Sequence, residues 1–90
     1  MKFLFFLLLT FPSLAQNEAW YVKKLAKELA GQTEVSVKNG RVDIVTDEYA
    51  IEVEWANNWK HSIGQALWYA IQTNKKAGII LIMKDEGDYK

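Results

Sequence analysis

Hydrophobic positions recur at helical spacing near the start of the chain. Between residues 17 and 30 these positions are Val22, Leu25, Ala26 and Leu29. Asn17 is a suitable N-cap, and Gly31 stands where a left-handed glycine commonly ends a helix. The spacing therefore predicts a first helix over residues 17–30.

Three segments that alternate polar and apolar residues follow the first helix, at residues 33–38, 41–46 and 49–55. Asn39-Gly40 separates the first two segments and suits a type I′ turn, in which both central residues have positive φ. Asp47-Glu48 separates the second and third segments. The pattern predicts an antiparallel meander of three strands.

A second helical pattern begins after the third strand. Asn57 and Asn58 can cap a helix that ends near Thr73, and a capping box formed by Ser62 and Gln65 offers a later start. The predicted buried stripe of this helix comprises Trp59, Ile63, Ala66, Leu67, Ala70 and Ile71.

The apolar run at residues 77–83 is typical of a strand that is covered on both faces. A helix that leads into such a strand usually makes a parallel crossover. We therefore predict an α/β domain of order αβββαβ, with a small mixed four-stranded sheet and flanking helices.

Residues 1–15 have one positive charge, a short apolar run and a Ser-x-Ala end, which are the features of a secretory signal peptide. Cleavage after Ala15 leaves a domain at residues 16–84 and a charged tail at 85–90, and predicts a secreted or periplasmic protein. The alternative is an uncleaved membrane tether, although the apolar run is short for a membrane span.

Composition narrows the candidate chemistry. The chain has 11 basic and 11 acidic residues, so its charge does not by itself indicate a nucleic-acid binder. With no cysteine and one histidine, His61, a zinc site is excluded. Three lysines of the first helix, Lys23, Lys24 and Lys27, are explained by the helix dipole, with phosphate contacts as the minority alternative.

The predicted hairpins bring carboxylates together. If Asn39-Gly40 and Asp47-Glu48 are both two-residue loops, Asp43 lies across from Glu52 and also across from Ser36. One sheet face then carries Glu34, Ser36, Lys38, Arg41, Asp43, Glu52 and Glu54. The opposite, core-facing side carries Val35, Val37, Val42, Ile44, Ile51, Val53 and Trp55. Neighbouring carboxylates are tolerated when they are solvated, protonated or bound to a cation, and alternation alone does not distinguish these states.

Three segments in this order carry a family resemblance: Arg41-Val-Asp43-Ile-Val, Ala50-Ile-Glu52-Val-Glu54-Trp and Ile63-Gly-Gln65-Ala-Leu-Trp-Tyr69-Ala. Their combination resembles the PD-(D/E)XK nuclease superfamily, whose restriction-endonuclease-like core has the order αβββαβ. The resemblance spans nearly all of residues 17–83. It includes the Gln-x-x-x-Tyr helix motif of the exonuclease-like and resolvase-like branches.

The resemblance implies a Mg²⁺ or Mn²⁺ site. Asp43, Glu52 and the backbone carbonyl of Val53 would be metal ligands, while Gln65 and Tyr69 would line the site or contact the DNA backbone. Magnesium ions prefer such oxygen ligands and can activate water for phosphodiester hydrolysis.

The chain departs from the family pattern at Glu54, which occupies the position of the family's lysine. Glu54 could hold a second ion or act as a general base, and Lys60 or Lys38 could supply the missing positive charge. Helix one of the family often provides another acid. Glu34 is ranked first for that role, ahead of Glu28 and Glu18.

These residues support three hypotheses. The first is a metal-dependent nuclease that acts on DNA in preference to RNA, with a second copy of the chain as a candidate partner and no membrane partner after cleavage of the signal. The second is a catalytically inactive module of nuclease fold that binds DNA or protein. The third is a domain whose acids bind Ca²⁺ structurally.

Overall fold

The computed structural model describes the backbone of residues 4–9 and the complete residues 17–83. Its elements are β1 (Leu4–Leu9), α1 (Glu18–Leu29), β2 (Gln32–Val37), β3 (Gly40–Val45), β4 (Tyr49–Trp55), a 3₁₀ turn (Ala56–Asn58), α2 (Trp59–Thr73) and β5 (Lys76–Ile82). In this part of the chain, no helix has the length and apolar character needed to cross a membrane.

The strands form one mixed sheet in the order β1-β5-β4-β3-β2. β2, β3 and β4 form the predicted antiparallel meander, and β5 pairs with β4 in parallel after the α2 crossover. The predicted order αβββαβ is thus confirmed over Glu18–Ile82.

β1 adds a fifth strand, which pairs with β5 in parallel. It lies within the predicted signal peptide, whose other residues are outside the described part of the chain. Cleavage of that peptide therefore stays a prediction. The predicted tail at residues 85–90 also lies outside the described residues.

The second hairpin has the predicted register. Ile44 pairs with Ile51 and Val45 with Ala50, as expected if Asp47-Glu48 is a two-residue loop. The Thr46 hydroxyl accepts a hydrogen bond from the Tyr49 backbone N–H at 3.0 Å, which stabilises the turn.

The first hairpin differs from the prediction by one residue at its turn. Val37 pairs with Gly40, so Lys38-Asn39 rather than Asn39-Gly40 forms the loop. A type I′ turn needs two residues with positive φ, but of this pair only Asn39 has one (φ 65°), and Gly40 has none. Ser36 consequently pairs with Arg41, and the predicted pairing of Ser36 with Asp43 is wrong.

Apolar residues cover both faces of the sheet. Ile44, Ile51 and Val53 pack with α1, whereas Val42 packs with Tyr69 of α2. The prediction of a single apolar face is therefore wrong, because strands between two helices are buried on both sides. A further α2 cluster includes Ala56, Ala66, Ala70, Ala77, Ile79, Leu81 and Met83.

The buried stripe of α2 also differs from the prediction. The helix begins at Trp59, one turn before the capping box of Ser62 and Gln65, and it buries Ser62, Ala66, Tyr69 and Ala70. Four apolar side chains of the helix are exposed instead: Trp59, Leu67, Trp68 and Ile71. Small residues and one tyrosine therefore form the contact with the sheet.

The left-handed residue that ends α1 is Ala30 (φ 55°), one position before the predicted Gly31. Gly31 is needed for a different reason. A Cβ at Gly31 would lie 2.6 Å from Cγ2 of Ile44, so this glycine permits close packing of the chain against β3.

Candidate functional site

The backbone ladder between β3 and β4 ends at the Ile44–Ile51 pair, and two carboxyl groups continue it. The Asp43 N–H donates to Oε2 of Glu52 at 3.1 Å. The Val53 N–H donates to Oδ2 of Asp43 at 2.9 Å. The side chains thus satisfy backbone donors that the opposite strand does not reach. Asp43 and Glu52 are held as a pair by the backbone itself, as the register of the second hairpin predicts.

Both carboxyls of this pair ionise above their ordinary range. Burial, the Asp43 charge and two further carboxylates raise the pKa of Glu52 to about 8, although the Asp43 N–H opposes the shift. Burial raises the pKa of Asp43 to about 6, against the hydrogen bond from Val53. Glu52 is only 7% exposed, so desolvation of its charged form is the dominant cause.

Glu18 and Glu54 bring a second pair of carboxyls to the same place. Glu18 lies in the first turn of α1, and its carboxyl is hydrogen-bonded to that of Glu54. Burial and the charges of Glu54 and Asp43 raise the pKa of Glu18 to about 7. The contact with the Glu54 carboxyl also favours the protonated form of Glu18. Glu18, Asp43, Glu52 and Glu54 are called the acid cluster below.

Glu34 lies beside the acid cluster. It stands between the Thr33–Ile44 and Val35–Val42 pairs, with φ 52°, and its side chain is exposed. Its charge contributes to the raised pKa values of Glu18, Asp43 and Glu52. Both Glu34 and Glu18 therefore reach the site, and Glu18 makes the direct contact.

Tyr69 borders the cluster from α2. It is buried against Val42, and its hydroxyl is hydrogen-bonded to the Arg41 backbone. Burial and the charge of Glu52 raise its pKa. Gln65, one turn earlier, is half-buried. Tyr69 thus connects α2 to the strand that carries Asp43.

The two lysines proposed from the nuclease resemblance as a source of positive charge lie away from the acid cluster. Lys60 is exposed, with Nζ 5.6 Å from the centroid of the Trp59 ring. Lys38 is exposed in the turn of the first hairpin. Neither is among the groups that shift the pKa values of the acid cluster. The site therefore collects negative charge without a neighbouring cation from these two residues.

The donor chemistry of the acid cluster fits a hard divalent cation, because Mg²⁺ and Ca²⁺ prefer carboxylate oxygens. Within residues 17–83, however, no three acidic or histidine side chains converge closely enough to enclose an ion. Mg²⁺ often uses one or two carboxylates and completes its shell with water or phosphate. Asp43 and Glu52 suit such an open site, while Val53 contributes its N–H to Asp43.

The sequence ranks Glu34 above Glu18 because the predicted register puts Glu34 on the acid-bearing face, while a glutamate in the first turn of a helix is equally compatible with dipole stabilisation. The position of Glu18 depends on how α1 packs on the sheet, through Tyr21, Val22 and Leu25. The local pattern carries no signal of that packing. The one relevant feature of the sequence is that Glu18 lies in the first turn of a helix whose apolar side packs on the sheet.

Comparison with known proteins identifies relatives from Acanthamoeba polyphaga mimivirus. The chain is similar to three KilA-N domain-containing proteins. One is 32% identical over 65 residues, which is 72% of this chain and 18% of the relative. A second is 43% identical over 58 residues, 63% of this chain and 16% of the relative. A third is 37% identical over 57 residues, 63% of this chain and 23% of the relative.

The chain spans about a fifth of the length of these curated relatives. No family model matches the chain. No solved structure matches it at a significant level.

Proposed function

We propose that this chain is a DNA-binding module with a nuclease-like core, in which the acid cluster holds a divalent cation against DNA phosphate. The observation that carries the proposal is the raised pKa of Glu18, Asp43 and Glu52 at the end of the β3–β4 ladder. Unneutralised carboxylates repel phosphate, so DNA can approach this site only if protons or a cation reduce its charge.

Asp43 and Glu52 would hold the cation, Mg²⁺ or Mn²⁺, because the backbone already orients both groups. A DNA phosphate would complete the coordination shell. Similarity to KilA-N domain-containing viral proteins supports a DNA-binding module better than it supports an enzyme. Whatever else those longer proteins do lies outside this proposal.

The test is the fluorescence anisotropy of labelled DNA oligonucleotides in Mg²⁺ and in EDTA, with a gel to show that the DNA stays intact. We expect EDTA, Asp43→Asn or Glu52→Gln to weaken binding at least tenfold. Asp47→Asn, in the exposed turn of the same hairpin, is the matched control and should bind normally. Equal affinity in Mg²⁺ and EDTA would contradict the proposal.

A second candidate function is hydrolysis of DNA phosphodiester bonds. The observation in its favour is Glu18, whose pKa of about 7 suits a general acid or base at neutral pH. A bound cation would supply charge neutralisation and activation of water. Against this function, Glu54 occupies the position of the family's lysine and adds negative charge where positive charge is wanted.

Incubation with plasmid and linear DNA in Mg²⁺ or Mn²⁺ tests this second function. Cleavage that Asp43→Asn abolishes would establish a nuclease. If wild-type protein binds DNA but leaves both substrates intact in either metal, the chain is a binding module without catalytic activity. Export from the cell is a separate proposal, which N-terminal sequencing of the exported protein would test. Pairing of two copies is another, which analytical ultracentrifugation would test.

A further inference from the structure

The outer face of α1 is unlike the rest of the helix. Its buried side consists of Tyr21, Val22, Leu25 and Ala26. The opposite side presents one aromatic and three basic residues, all of them exposed: Trp20, Lys23, Lys24 and Lys27. We call these four residues the α1 outer face.

The lysines of the α1 outer face are uncompensated. None of them forms a salt bridge within the described part of the chain, where Lys76 and Glu48 make such a pair at 3.9 Å. Glu28 is the one acidic residue next to the three lysines, and it makes no ion pair with them there. This face therefore has a local positive charge although the whole chain is neutral.

Trp20 is held in place despite its exposure. The side chain is 40% exposed. Its ring packs edge-to-face on Tyr21 with centroids 4.9 Å apart, and Nζ of Lys24 lies 5.2 Å from its centroid. The ring is thus oriented by one contact to the core and one to a cation, so a ligand that stacks on it meets a preformed surface.

We infer that the α1 outer face binds single-stranded nucleic acid, with a base stacked on Trp20 and phosphates contacted by Lys23, Lys24 and Lys27. This inference rests on the proposed function and names the form of nucleic acid that the chain prefers. Exposed aromatic rings among basic side chains bind unpaired bases, because each base has a free π-face only when it leaves the duplex stack.

The α1 outer face and the acid cluster share the first turn of α1 but lie on different sides of it. Glu18 and Trp20 belong to the same first turn, but Glu18 contacts Glu54 while Trp20 faces outward. Lys23 and Lys27 follow one turn apart, roughly 6 Å along the helix axis. A strand whose phosphate sits at the cluster would cross the start of α1 to reach Trp20 and would then follow the lysines.

The experiment measures binding of labelled oligo(dT) and of a duplex of equal length by fluorescence anisotropy across a range of salt concentrations. We expect Trp20→Ala to weaken single-strand binding roughly 5- to 100-fold and to leave duplex binding unchanged. Trp20→Tyr should restore most of the affinity, because it keeps an aromatic ring. Trp68→Ala is the matched control, since Trp68 is 44% exposed but lies on α2.

The salt dependence of binding tests the three lysines of the α1 outer face separately. Replacing Lys23, Lys24 and Lys27 together by glutamine should reduce the slope of log affinity against log salt by about 2 for a single strand. The double substitution of Lys75 and Lys76 by glutamine removes charge elsewhere and should leave the slope nearly unchanged. Circular dichroism of each variant establishes that it is folded.

Five outcomes would overturn the inference. Equal binding of single strand and duplex by both wild type and Trp20→Ala is one, and an unchanged salt slope in the triple lysine variant is another. The third is tight binding to phosphatidylserine vesicles that oligo(dT) cannot displace, which would assign the face to a membrane. If Asp43→Asn weakens DNA binding but Trp20→Ala does not, the proposed function stands and only this inference fails. If wild type binds no nucleic acid, both fail.

Discussion

At the scale of single residues, Glu52 shows that the folded state binds protons more tightly than the unfolded state. Its carboxyl ionises near pH 8 in the folded protein and near pH 4.5 when unfolded. Asp43 and Glu18 are shifted in the same direction, to about 6 and about 7. Between these pH values the folded state binds more protons than the unfolded state, so the free energy of unfolding falls as pH rises.

The first prediction follows from that sign. In EDTA, the stability contributed by these protons is fully present below about pH 4 and is lost between pH 4 and 8. We therefore expect Tm to fall from pH 5 to pH 8.5. Glu52→Gln removes one of these ionisable groups, so it should raise Tm at pH 8 and flatten the dependence of Tm on pH. Each 1 kcal/mol of unfolding free energy that the substitution recovers corresponds to roughly 4–8 °C in Tm. Thermal melts followed by circular dichroism check this, and a Tm that rises across the interval would contradict it.

The second prediction concerns Gly40 and Tyr69. A Cβ at Gly40 would overlap the Tyr69 hydroxyl and lie 3.1 Å from Cε1 and Cζ of the ring. Gly40→Ala should destabilise the protein by about 1–3 kcal/mol, as overpacked sites do. In a Tyr69→Phe background, where the hydroxyl is absent, the same change should cost less. Urea denaturation of the four proteins of this double-mutant cycle gives the coupling, and strict additivity would count against the contact.

At the scale of elements, the two hairpins show what a sequence pattern determines. Asp47-Glu48 lies between strands whose alternation allows one register, and the Asp43–Glu52 opposition could be predicted from it. The loop of the first hairpin lies one residue earlier than the pattern predicts. Asn39 alone has a positive φ there, and Gly40 lies in the strand in close contact with Tyr69. The residues that favour turns predict where the hairpin loop lies to within one residue, but tertiary packing determines which two residues form it.

The third prediction tests the end of α1. Ala30 has φ 55°, where a Cβ is unfavourable, and Gly is the residue usually found there. Ala30→Gly should therefore stabilise the protein by about 1 kcal/mol, because a left-handed conformation costs a residue with a Cβ roughly 1–2 kcal/mol and glycine loses more backbone freedom on folding. Asn74, the left-handed residue that ends α2, is the comparison. Because asparagine tolerates this conformation, Asn74→Gly should gain less in urea denaturation. A loss of stability in Ala30→Gly would contradict the assigned conformation.

At the scale of the whole molecule, the acid cluster joins elements that are distant in sequence. Alternation predicted Asp43, Glu52 and Glu54, since they lie on neighbouring strands. It did not single out Glu18, because that residue arrives through packing of α1 on the sheet. For the same reason the burial of Tyr69 and the exposure of Leu67 were not predicted: both depend on which side of α2 meets the sheet.

The fourth prediction links the cluster to global stability. A cation and protons compete for the same carboxylates, so binding of Mg²⁺ should be weak near pH 5.5 and stronger near pH 8. A ligand that binds only the folded state raises its stability by RT ln(1 + [L]/Kd). The rise in Tm caused by Mg²⁺ should therefore grow with pH. Asp43→Asn should remove this rise, while Asp47→Asn, in the exposed turn, should leave it unchanged.

NaCl at matched ionic strength controls for screening. If NaCl reproduced the effect of Mg²⁺ at every pH, the four carboxyls of the acid cluster would respond to screening alone and would form no specific cation site.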